Sequence, residues 1–164
     1  MEASNDQRMM TFHIPTEPIL ACLGTIALRH GHLDYILRMT IKSLAGVSIR
    51  QALDATAFEG SRTLRQRIQK LASRRLGEGK ALLQLQALLE RCRRASEERN
   101  ELTHNIWAKE LDGDPKIRDG NHDWNPLPTI DDLTALANEL EAITVELNDA
   151  RLNGFLAEVL TAKM

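Results

Sequence analysis

The chain has 164 residues, 43% of them apolar and 27% charged, with a formal net charge of −2. One domain of this length buries roughly two thirds of its unfolded surface without staples, so neither disulfides nor a structural metal are needed to hold it. No window approaches the ~20 apolar residues of a membrane span, and residues 1–15 lack the apolar run of a signal peptide. The expected compartment is therefore the cytoplasm, with no membrane partner. Aromatics are only 4% of the chain, so the core must come from Leu, Ile and Ala, and the shortage of β-branched and aromatic residues points to helices. Cys22 and Cys92 show no CxxC spacing and read as small buried hydrophobes.

Residues 1–16 read as a flexible arm. Pro15 and Pro18 bracket Thr16, an N-cap for a helix over 17–45 with Glu17 in its first turn. Ile19, Cys22, Leu23, Ile26, Leu33, Leu37, Ile41 and Leu44 recur at three- and four-residue steps, Gly24 and Gly31 either weaken the helix locally or permit close helix approach, and Gly46 stops the helix. Ser48 caps a shorter helix to about Phe58, which Gly60 ends. Ser61 starts the next, to Leu76, with Leu64, Ile68 and Leu71 inward. Beyond the Gly77-Glu78-Gly79 turn, Leu82, Leu83, Leu85, Leu88, Leu89 and Cys92 drive a second long helix that carries residues 96–107 near its end. Asp112-Gly113-Asp114-Pro115 and Asp119-Gly120-Asn121 are turn chemistry, so 109–128 forms an insertion. Thr129 caps a last helix to about Ala162, whose core side is Leu133, Leu136, Leu140, Ile143, Leu147, Leu152, Phe155 and Val159. The expected fold is all-α: one domain over 1–164, an up-and-down bundle of about five helices with a small irregular or β-hairpin insertion near 109–128.

The chemistry concentrates in Ser96–Trp107, which reads Ser-Glu-Glu-Arg-Asn-Glu-Leu-Thr-His-Asn-Ile-Trp. On a continuous helix, Asn100, Thr103, His104 and Trp107 line one side, with Arg99 bordering them. An imidazole with a pKa near 6.5 can take or give a proton near neutral pH. A guanidinium fork suits phosphate oxygens. Metal-free RNA cleavage needs these parts: a base for the 2′-OH, an acid for the leaving oxygen and a cation for the phosphorane. Arg99-x4-His104, with Asn100 directly after the arginine, resembles the HEPN superfamily, as does the all-helical scaffold. The resemblance implies catalytic roles for Arg99, Asn100 and His104, supported by Asp34, Thr103 and Trp107, with no cofactor. It also implies a homodimer in which motif residues meet, RNA as the substrate or ligand, and a toxin or defence role with an antitoxin-like protein partner. The rival reading is a non-catalytic helical interaction module.

Charge is unevenly spread. Residues 61–95 carry 10 Lys+Arg against 2 Asp+Glu, and residues 96–164 carry 6 against 15. Arg62, Arg65, Arg67, Lys70, Arg74 and Arg75 can track a phosphate backbone, or basic and acidic helices can simply face each other. His30, Asp34 and Arg38 recur at four-residue steps, either as an ion-pair ladder or with Asp34 orienting Arg99. Asp112, Asp114, Asp119, His122 and Asp123 lack the order of a calcium loop, and no metal site is expected.

Overall fold

The structure, a computed structural model, describes residues 10–110 and 113–162. Its elements are strand β1 (Met10–Phe12), helices α1 (Glu17–Ala45), α2 (Ile49–Ala55), α3 (Ser61–Leu76) and α4 (Lys80–His104), strands β2 (Trp107–Glu110), β3 (Lys116–Arg118) and β4 (Trp124–Pro126), and helices α5 (Ile130–Leu152) and α6 (Phe155–Ala162). The fold is helical with a small sheet, as the apolar periodicity indicated. Gly46 ends α1 in the left-handed region at φ 69°, and capping boxes start α2 at Ser48 with Gln51 and α5 at Thr129 with Asp132. Thr16 precedes α1 without accepting a cap bond.

Sheet and helix order fix the directions. β1 runs into α1 and pairs antiparallel with β2, which leaves α4, so α1 begins where α4 ends and the two run in opposite directions. β4 runs into α5 from the same sheet, so α5 parallels α1. α1 packs on α3 and α5, and α4 packs on the same two helices. The core between them holds Ile26, Leu33, Leu37, Leu64, Ile68, Leu85, Leu89, Leu133, Leu140, Ile143 and Leu147, all essentially without exposure. Each such side chain contributes about 1.5–3 kcal/mol. The basic and acidic segments meet at Arg91, which spans Glu139 and Glu146 at 2.8 and 2.7 Å; Arg29, outside the basic segment, reaches Glu141 at 2.7 Å.

Several expectations need correction. The arm is ordered from Met10, because β1 completes a sheet of order β1-β2-β3-β4; residues 1–9 lie outside the described residues. The 109–128 insertion is the small β element expected, with β3 and β4 as its hairpin, and β1 and β2 extend it to four strands; Leu111 and Asp112 lie outside the described residues. α2 stops at Ala55, where Thr56 turns its hydroxyl back to the Ala52 carbonyl at 2.8 Å. The last helix breaks after Leu152: the amides of Asn153 and Gly154 both donate to Asp149 O at 2.9 Å. A Cβ on Gly154 would lie 3.1 Å from the Ala150 Cα, so a side chain there would press on the backbone of the preceding turn. The break leaves Leu152 exposed, and Leu83 is likewise exposed on α4. Gly24 and Gly31 face open space and mediate no close approach.

Candidate functional site

α4 delivers the motif residues to the sheet end of the bundle. It terminates at His104 because Asn105 turns to extended backbone (φ −84°, ψ 159°) and the chain enters β2. Trp107 therefore does not continue the helical stripe. Its indole Nε1 donates to the Leu102 carbonyl at 2.9 Å, satisfying one of the acceptors that a helix end leaves open. Asn100, Thr103 and His104 remain together on the exposed surface. The Thr103 hydroxyl donates to the Arg99 carbonyl at 3.1 Å, and the Asn100 Oδ1 accepts from Arg99 Nη1 at 2.9 Å. His104 has no side-chain hydrogen bond or ion pair among the described residues.

Arg99 is half-buried, and its Nε is buried without a partner. His104 lies five positions further on, about 140° around an ideal helix, so the two point apart within one subunit. Inward from Arg99 lies a polar cluster assembled from three helices. The Ser61 hydroxyl donates to Asp34, and the Ser61 and Ser96 hydroxyls each lie 3.3 Å from His30 Nε2. Asp34 sits 3.7 Å from His30 Nδ1, and Arg65 Nη1 donates to the Ser96 hydroxyl at 3.4 Å. Burial lowers the pKa of His30, the charges of Arg99 and Arg65 push it further down, and Asp34 opposes them. The imidazole is therefore neutral at neutral pH.

Of the His30-Asp34-Arg38 ladder only the first rung is present, His30 Nδ1 to Asp34 at 3.7 Å, and Asp34 does not pair with Arg38 among the described residues. Asp34 binds the first residue of α3, and no contact joins it to Arg99 among the described residues. Arg38 instead donates to the carbonyls of Thr56 and Glu59, holding the segment between α2 and α3. His30 and Ser96 occupy core positions and Ser61 a half-buried one beside them. His30 falls in the buried series 26-30-33-37, Ser96 in 85-89-92-96, and Arg65 in 61-65-68-72. A polar side chain on an apolar stripe is the signal that finds them.

The basic residues do not form one surface. Arg62, Lys70, Arg74 and Arg75 are exposed, Arg67 is tied to Glu59, and Arg65 is buried. Arg93 and Arg94 pair with acids of their own helix, which hold the Glu90 carboxyl down at about 2. On the opposite flank of α4, a groove of about 470 Å³ gathers Glu98, Glu101 and Asp132, and burial together with these neighbours raises the Glu98 pKa. Asp119 closes the β3–β4 turn by accepting from the amides of Asn121 and Asp123 and the side chain of Asn125. Burial pushes the Cys92 thiol up to about 12, as suits an inert core residue. Compared with protein families, curated proteins and solved structures, the chain has no match. No helix among the described residues is long and apolar enough to cross a membrane.

Proposed function

We propose that the chain is a HEPN-like protein that acts on or binds RNA without a metal, with Arg99, Asn100 and His104 as the working groups. The reading is carried by His104: an imidazole at the open end of α4, in solvent, with no internal partner among the described residues. Arg99 supports it, since a guanidinium with an unbonded buried Nε has donor capacity the fold does not use. One subunit supplies one such histidine and turns Arg99 away from it. Cleavage therefore requires a homodimer that sets two α4 ends across a two-fold groove. One His104 then takes the 2′-OH proton as the 2′ oxygen attacks phosphorus. The other gives a proton to the departing 5′ oxygen, while Arg99 of either subunit meets the phosphorane charge.

The non-catalytic module remains the second reading, and the buried cluster favours it. On this reading Arg99, whose charge acts on His30, braces α4 against α1. RNA incubated with the protein in EDTA separates the two. Cleavage that survives chelation and disappears in His104→Ala supports the enzyme. Intact RNA at high protein concentration, with His104→Ala leaving RNA binding unchanged, removes it.

A further inference from the structure

Arg65 is a buried cation whose counter-charges, Glu97 and Asp34, act on it from a distance. It keeps only 9% exposure, yet its single hydrogen bond among the described residues is the one to the Ser96 hydroxyl. No carboxylate forms an ion pair with it there. Arginines this deeply placed are ordinarily paired, because an unpaired cation loses its hydration without return. Burial is the largest influence on Arg65 and disfavours its charged form.

The guanidinium faces a groove of about 460 Å³ between α3 and α4, lined also by Arg62, Gln66, Gln69, Gln86 and Arg93. Two carboxylates, Glu90 and Glu97, share the wall. Both are bound by Arg93, and Glu90 also by Arg94, so neither is turned to Arg65. Arg62, at the mouth, makes no hydrogen bond or ion pair among the described residues. What is left is the guanidinium of Arg62, that of Arg65 with one bond to Ser96, and three side-chain amides around one recess. These are N–H donors enough to surround a tetrahedral oxyanion.

We propose that the α3–α4 groove is a binding site for a phosphoryl group, with Arg65 as its receptor and Arg62 closing over it. A planar fork that can donate two parallel bonds suits a phosphate edge, and the amides reach the remaining oxygens. The site does not depend on the RNA chemistry at His104. Ser96 and His104 are eight residues apart, about 12 Å along α4, so the two can succeed or fail separately. The same phosphoryl chemistry can arrive as free phosphate, as a mononucleotide or as the backbone of a strand.

The test follows the arginine Nε–Hε and glutamine amide signals of the full chain by NMR. Sodium phosphate, adenosine 5′-monophosphate or an oligoribonucleotide without terminal phosphate is titrated against sodium chloride at matched ionic strength. Saturable movement of the Arg65, Gln66 and Gln69 signals is expected, weakened at least tenfold in Arg65→Gln and unchanged in His104→Ala. Arg65→Lys retains the charge without the fork and is expected to weaken binding about threefold, which keeps the test usable if Arg65→Gln does not fold. Movement with phosphate or the mononucleotide assigns a terminal phosphate, and movement with the oligonucleotide alone assigns a diester. Shifts that grow linearly with any salt overturn the proposal. So do shifts that are as large in Arg65→Lys as in the parent chain.

Discussion

His30 and His104 are the same side chain in opposite circumstances. His30 sits in mid-bundle with three side chains from α1, α3 and α4 against its ring, and its surroundings keep it neutral. His104 stands at a helix end in water, bonded to nothing described. A histidine whose Nε2 meets hydroxyls from two other helices contributes to the joint between them, whereas one left without partners is available to a substrate. Arg99 lies between them on α4, which is why it can be read either as a brace or as a catalytic cation.

The strongest challenge to this contrast is a pair of substitutions. His104→Ala is expected to lower RNA cleavage about 10²–10⁴-fold while leaving the melting temperature within a degree, checked by a gel assay beside thermal denaturation. His30→Ala should do the reverse to the fold. It takes one partner from each of the Ser61 and Ser96 hydroxyls, which keep Asp34 and Arg65, and opens a cavity between three helices, at a cost of about 1–3 kcal/mol, which lowers the melting temperature by roughly 2–10 °C. If His104→Ala destabilises and His30→Ala does not, the assignment of roles is inverted.

Ser61→Ala sharpens the picture further. It removes the tie from Asp34 to the start of α3 and is expected to cost about 1 kcal/mol by urea denaturation, less than His30→Ala because Ser61 is only half-buried. The smallest effect is with pH. Since the folded pKa of His30 lies below 6.5, the unfolded chain takes up its proton first as pH falls. Stability is therefore full above about pH 6.5 and declines through the interval down to the folded value. Melting temperatures at pH 7.5 and 5.5 should show a larger drop for the parent chain than for His30→Gln.

Much of the bundle was legible in the chain itself. Helix starts at Ser48, Ser61 and Thr129, the stop at Gly46 and the turn at Gly77–Gly79 are local signals, and the fold keeps all of them. What failed depended on partners distant in sequence. Nothing near residues 10–12 announces a strand, because its reason is β2, and nothing near Trp107 announces its exit from the helix for the same reason. The break at Gly154 was hidden within an unbroken apolar series, although the glycine itself was visible. At the site, the exposed residues Asn100, Thr103 and His104 were found because an Arg-x4-His spacing draws the eye. The cluster of His30, Ser61, Arg65 and Ser96 was missed because its members come from three helices and converge only in space.

The pairing of β1 with β2 sets an order of assembly. Thr11 and Lys109 are 98 positions apart. At 5–20 residues per second of synthesis, β1 emerges from the ribosome about 5–20 s before its neighbour exists. During that wait Phe12 and Ile14, which stay exposed even in the finished fold, have no sheet to join. The strand that comes first in the chain is thus among the last to find its place, and a chaperone that shields nascent apolar segments would meet it first.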